Sequence, residues 1–263
     1  MQKVLLVGMF LLIRLSGVLA KETLTIEAFD YPPIYQDAAD QGLACELVSA
    51  AFAAVNVDVK YQFVPVLRMI QDLSEGTSTA CIGGSILFGD EAVRPKVRIS
   101  APFLYVVQTF VYDTRRYPQG IAFSSLDKLS AYRIGVLNGS GIMRFLSQTK
   151  RLNLVENKIH DGSAKQLYTN RIDLWAIVDL TGLLYMQSLF PDEAKYYRTT
   201  KPFQKGDISL VVSQARDPEG RYSRLFASGL EVIKRKGVYL KTLAKYYGGE
   251  ALIDRDALAD DMN

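Results

Sequence analysis

From residue 23 onward the chain alternates between short β-rich segments and segments whose apolar residues recur at helical spacing, and it does so twice. Residues 23–29 alternate polar and apolar side chains and are rich in β-formers, which predicts a strand. Asp30-Tyr31-Pro32-Pro33 breaks it. Between Gly42 and Val55, the residues Leu43, Leu47, Ala50, Ala51 and Ala54 fall on one helical face. Strands are predicted over 57–64 and 79–85, with a short helix over 67–73 between them. This β-α-β-α-β order needs crossover connections and so implies a parallel sheet with helices on its faces.

The second alternation follows Arg115-Arg116-Tyr117-Pro118-Gln119-Gly120. Strands are predicted over 132–137, 152–156 and 172–178, and helices over 142–150, 163–168 and 180–189. Asn138-Gly139-Ser140-Gly141 turns the first of these strands into its helix. Two such units in 263 residues imply two lobes. Near the end, a strand over 208–213 precedes helices over 222–236 and 238–247, which Gly237 separates. Residues 250–263 are polar and acidic and are expected to fray.

Lys3, an apolar run over 4–13 and the small residues up to Val18-Leu19-Ala20 read as an export signal over 1–20, too short for a membrane span. Removing those residues takes away Lys3 and Arg14 and no acid, so the formal charge drops by two, from +3 to +1. A balance so near neutral argues against nucleic acid or an anionic membrane as partner. Export would permit a bridge between Cys45 and Cys81, but spacing does not decide between a bridge and two buried thiols. Two Cys and a single His, His160, make no zinc site, so no metal or cofactor is expected.

Six stretches carry a further signal. They are Asp30-Tyr31-Pro32-Pro33-Ile34-Tyr35 followed by Gly42; Val64-Pro65-Val66-Leu67-Arg68 before Glu75-Gly76; and Arg98-Ile99-Ser100-Ala101-Pro102-Phe103. Then come Ile134-Gly135-Val136-Leu137-Asn138-Gly139-Ser140-Gly141; Asn170-Arg171-Ile172-Asp173 leading to Asp179; and Gly229-Leu230 through Lys236-Gly237 to Tyr247-Gly248. In order and spacing these resemble the family 3 extracellular solute-binding proteins, which serve ATP-binding cassette (ABC) importers of polar amino acids. The resemblance implies an α/β, two-lobed periplasmic-binding-protein-like (type II) fold with two crossover strands. By it, residues 21–112 plus 207–263 form lobe 1 and 113–206 form lobe 2, with crossings near Tyr112-Asp113 and 204–206. It implies a periplasmic, monomeric protein that captures a small polar ligand, an amino acid or related carboxylate, and delivers it to an ABC permease.

In parallel α/β sheets, ligands bind beyond the C-terminal ends of the strands. That puts residues 30–35, 83–86, 138–141 and 179–181 at the cleft. Tyr31 and Tyr35 are candidates for an apolar wall with a polar tip, and Pro32-Pro33 is expected to hold their loop extended. Gly84 lets a ligand approach the backbone, and Ser85 adds a hydroxyl. Gly139 and Ser140 open a helix whose N-terminus attracts anions, although Ser140 is equally suited to cap it. By resemblance, the Arg94 guanidinium pairs with a ligand carboxylate, with Arg98 and Arg68 as competitors. Asp179 pairs with a ligand ammonium by the same resemblance; its other reading is a helix cap, and Asp173 is its alternative.

Cyclohexadienyl dehydratases share this fold, so fold alone does not settle activity. No Gly-x-Ser-x-Gly, paired His or phosphate-loop pattern occurs, Glu46 is the one acid placed beside the first-lobe cleft, and His160 is expected away from the cleft loops. No catalytic residue is therefore assigned. A ligand sensor that docks onto a membrane receptor would carry the same features.

Overall fold

A computed structural model describes residues 21–253 and 255–262, so the expected export signal lies outside the described residues. The first half of the chain forms β1 (Glu22–Ala28), α1 (Leu43–Ala54), β2 (Val57–Phe63), α2 (Val66–Glu75), β3 (Ala80–Gly83), β4 (Val97–Ile99) and β5 (Leu104–Asp113). Then follow β6 (Arg133–Leu137), α3 (Gly141–Leu146), β7 (Asn153–Asn157), α4 (His160–Tyr168), β8 (Leu174–Val178), α5 (Asp179–Leu189) and β9 (Tyr197–Thr199). The chain closes with β10 (Gln204–Ser213), α6 (Arg221–Arg235) and α7 (Val238–Tyr247). Among the described residues no helix is long and apolar enough to cross a membrane.

β1 pairs in parallel with β2 and β3, and β10 runs antiparallel to β3. β6 pairs in parallel with β7 and β8, and β8 runs antiparallel to β5. The halves join where Leu104 to Gln108 of β5 pair with Gln204 to Ile208 of β10. Each of these ten-residue strands starts in one lobe and ends in the other, as the expected fold requires. The sequence put the first passage at Tyr112-Asp113, but those residues already pair with β9 of the second lobe. β5 is almost wholly buried and contains no Pro or Gly, so nothing in its sequence marks where it changes partners.

Both half-sheets are covered on two faces. Along β10, Leu210 and Val212 join the cluster under α1 and α6, with Phe52 and Phe226, while Val211 joins the cluster under α2, with Met69 and Leu73. In β8, Trp175 and Ile177 face Leu167 of α4 and Met186 of α5, while Leu174 and Ala176 join Phe110, Ile134 and Leu146. This is the period-two alternation of a sheet buried on both sides. Each fully buried side chain of this size contributes about 2 kcal/mol.

One expectation is corrected, and the choice left open at the cysteines is resolved. The described C-terminal residues are packed rather than frayed: Leu258 and Ala259 are buried, and the Tyr239 hydroxyl accepts the Ala259 N–H at 3.1 Å while donating to the Phe103 carbonyl at 2.8 Å. Lys234 pairs with Asp261, and Tyr105 donates to Asp260 at 2.8 Å. The polar composition hid two small apolar anchors. Cys45 and Cys81 are both free and buried, and burial pushes both thiols well above their ordinary range.

Candidate functional site

The C-terminal ends of β1, β3, β6 and β8 meet the hinge strands at a cavity of about 90 Å³ between the lobes. Phe29, Tyr31, Tyr35, Gly84 and Ile86 line it from the first lobe, and Ser140, Gly141, Ile142 and Val178 from the second. Val106, Gln108, Gln204, Gly206, Asp207 and Ile208 close it along the hinge.

Sequence places Tyr31 and Tyr35 four residues apart, and the fold turns them towards each other. The loop is not extended: Tyr31 and Tyr35 form a bridge, with the Ile34 and Tyr35 N–H groups donating to the Tyr31 carbonyl at 2.9 and 3.1 Å. The Pro33 and Ile34 carbonyls in turn accept from the Leu43 and Ala44 N–H groups, both at 2.9 Å. The loop thus caps α1 in place of a side chain. So anchored, Tyr31 reaches the other lobe. Its hydroxyl accepts the Val178 N–H at 3.1 Å, and its ring meets His160 edge-on at 4.5 Å. Burial pushes both tyrosine hydroxyls far above their ordinary pKa.

The hinge supplies the polar groups. Gln108 and Gln204 are directly opposite in the β5–β10 register, so their side chains share one face of the ribbon. Gly206 lies on that face too, and an added Cβ there would stand 2.2 Å from Gln108 Nε2. Its missing side chain is what gives the Gln108 amide room. The carbonyl oxygens of Gln108 and Gln204 are buried without a hydrogen-bond partner. Asp207 falls on the opposite face by alternation. There its carboxylate accepts the Ser85 N–H at 2.9 Å, the Ser85 hydroxyl at 2.8 Å and the Ser209 hydroxyl at 3.2 Å.

The remaining sequence candidates divide. Tyr31, Tyr35, Gly84 and Ser140 line the cavity. Ser140 also caps α3, accepting the Met143 N–H at 3.1 Å. Ser85 is drawn to Asp207 instead. Gly139 sits at the outer cleft, where an added Cβ would lie 3.5 Å from Leu67 of the first lobe. Arg94 is exposed on a 3-10 turn, Arg94–Lys96, and does not reach the cavity. Arg98 donates to the Asp217 and Pro218 carbonyls at 2.9 and 3.2 Å, and Arg68 pairs with Asp72 at 2.6 Å. Asp179 opens α5 and accepts the Leu180 N–H at 2.7 Å, outside the cavity lining. Asp173 is held behind the second lobe by Arg133 at 2.9 Å and Arg116 at 2.6 Å. Burial alone would raise its carboxyl, but those guanidinium groups and the Arg133 N–H hold it well below the carboxylate range. Glu46 accepts from Lys245 and Tyr246.

His160 is not away from the cleft. It starts α4, is buried against Tyr31, Trp175 and Tyr185, and lines an outer cleft of about 770 Å³. Neither ring nitrogen has a protein partner, and burial lowers its pKa to about 4. The cavity residues that sequence reasoning passed over are Gln108, Gln204 and Gly206. Their signal was a lone amide within the apolar run of β5, and an amide two residues before a glycine in β10.

No family model and no curated protein matches the chain. Solved structures do. A histidine kinase sensor domain with similarity to periplasmic binding proteins matches at 14% identity and a TM-score of 0.72, over 87% of this chain and 98% of that one. An ancestral arginine-binding protein bound to arginine matches at 18% identity and a TM-score of 0.70, over 86% and 98%. An ABC uptake transporter substrate-binding protein from Streptococcus pneumoniae, with bound histidine, matches at 14% identity and a TM-score of 0.70, over 88% and 95%. At these identities the likeness concerns the fold, which is the two-lobed, periplasmic-binding-protein-like α/β fold with paired crossover strands.

Proposed function

We propose that this chain is a solute-binding protein whose lobes close over a small polar ligand, and that it works in the periplasm with an ABC importer. The observation that carries the reading is the cavity itself. Both lobes and both hinge strands contribute to it, and two buried amide oxygens facing it have no partner. A ligand that supplies the missing hydrogen bonds favours the closed arrangement and so drives closure. The moving bodies meet at the Leu104 to Gln108 and Gln204 to Ile208 pairing. The neighbours bound to arginine and histidine support the importer reading and put amino acids among the first compounds to test. Likeness to a histidine kinase sensor domain supports a second reading, a ligand sensor. Co-purification with a permease or with a receptor kinase separates the two.

A thermal-shift screen with amino acids, small amides, amines and organic acids tests the binding function. A ligand present at 100 times its Kd adds about 2.7 kcal/mol of stability. A screen in which no polar metabolite raises the melting temperature would remove the reading.

A further inference from the structure

We propose that the cavity selects an uncharged ligand carrying a carboxamide or urea group, an inference that rests on reading this cavity as the ligand site. Asp207 is the one charged residue among those that line it. Its carboxylate is already engaged, accepting the Ser85 N–H, the Ser85 hydroxyl and the Ser209 hydroxyl. The cavity's neutral polar side chains are Gln108, Gln204, Ser140 and the tyrosines Tyr31 and Tyr35, set among aliphatic and aromatic walls, and the buried Tyr35 hydroxyl has no partner. The three arginines suited to a ligand carboxylate are engaged or exposed elsewhere. The α3 N-terminus gives no substitute, because that helix has six residues and Ser140 already caps it. An anionic ligand would therefore be buried without a counter-ion, and a cationic one would meet only a carboxylate already engaged by three donors, so either costs more to bury than a neutral one.

What the cavity does offer is two amides. Gln108 is 7% exposed, and its carbonyl oxygen, like that of Gln204, has no donor. A primary amide both accepts and donates, so it meets another amide through two parallel hydrogen bonds. The two glutamines stand opposite one another, so a ligand between them is addressed from both strands. Size agrees. A cavity of about 150 Å³ holds benzene, so 90 Å³ takes roughly four heavy atoms, the size of acetamide or urea.

Acetamide, acetate and acetamidinium test this directly, because they share a shape and carry charges of zero, minus one and plus one. Isothermal titration of the protein at pH 7.5 is expected to show acetamide or urea binding at least tenfold tighter than either ion. Gln108→Leu and, separately, Gln204→Leu are expected to weaken acetamide at least tenfold while the far-UV spectrum and melting temperature stay close to the parent. Gln108→Glu is expected to shift preference to acetamidinium. Tighter binding of acetate or acetamidinium by the parent overturns the proposal and leaves the solute-binding reading in place. So does binding of an amino acid with no response to amides. Silence towards every compound overturns both. A Gln108→Leu protein that folds and binds acetamide unchanged also overturns the proposal.

Discussion

The Tyr31 hydroxyl, on a loop of the first lobe, accepts a 3.1 Å hydrogen bond from the backbone N–H of Val178 at the end of a second-lobe strand. One side chain thus ties the lobes together beside the cavity. Tyr31→Phe removes the acceptor and leaves a buried N–H unpaired whenever the lobes close. The net cost is about 1 kcal/mol, roughly a fivefold loss of ligand affinity. Small-angle scattering of the ligand-free variant is expected to give a larger radius of gyration than the parent. An unchanged radius together with unchanged affinity would show that the bond carries none of the closure energy.

Gly206→Ala is expected to injure binding more than stability. The new methyl collides with the amide end of Gln108, a movable group, and pushes it into the cavity. Affinity should fall at least tenfold, while the melting temperature drops by no more than the equivalent of about 1 kcal/mol. Calorimetry and a thermal melt on the same sample check both halves of the statement.

His160 and Glu27 bias stability in opposite directions across overlapping pH windows. Burial lowers His160 to about 4, so between pH 6.5 and 4 the unfolded chain binds a proton that the folded chain refuses, and stability falls with pH. Burial, with Asp72 nearby, raises Glu27 to about 7, so between its ordinary value of 4.5 and 7 the folded chain holds the extra proton, and stability falls as pH rises. His160→Phe should therefore become more stable on going from pH 7.5 to 5, and Glu27→Gln less stable. Urea midpoints at the two pH values for both variants decide the matter. Equal slopes in the two variants would contradict the assignment.

Asp173 accepts from Arg116, Tyr117 and both the side chain and backbone N–H of Arg133. Asp173→Ala leaves two guanidinium groups and a backbone N–H without their acceptor, at a cost of about 2–3 kcal/mol, moderated by the partial exposure of both arginines. Denaturation should show that loss with ligand affinity unchanged, because the network stands behind the second lobe. A matching loss of affinity would return Asp173 to the list of cleft residues.

The periodicities that mark β1, α1, β8 and α5 are local, and so were legible in the sequence. So were Tyr31, Gly84 and Ser140, which follow the ends of parallel strands. Gln108 and Gln204 were not, because their meeting depends on a pairing between segments almost a hundred residues apart. Arg94 was misplaced for a different reason. Resemblance to the family's carboxylate-binding Arg put it at the cleft, but the Arg94–Lys96 turn, with Pro95 inside it, presents the side chain to solvent. His160 was assigned to a loop because its helix starts at the residue itself, without a side-chain cap to announce it.

Gln108, Gln204 and Gly206 belong to the two strands that join the lobes and that, on the proposed reading, serve as their pivot. If that reading holds, chemical selectivity and mechanical compliance are written in the same few codons. A substitution that admits a new compound also alters the spring that brings the walls together. Divergence towards new ligands is then pushed onto Phe29, Ile86 and Ile142, which can vary without touching the pivot.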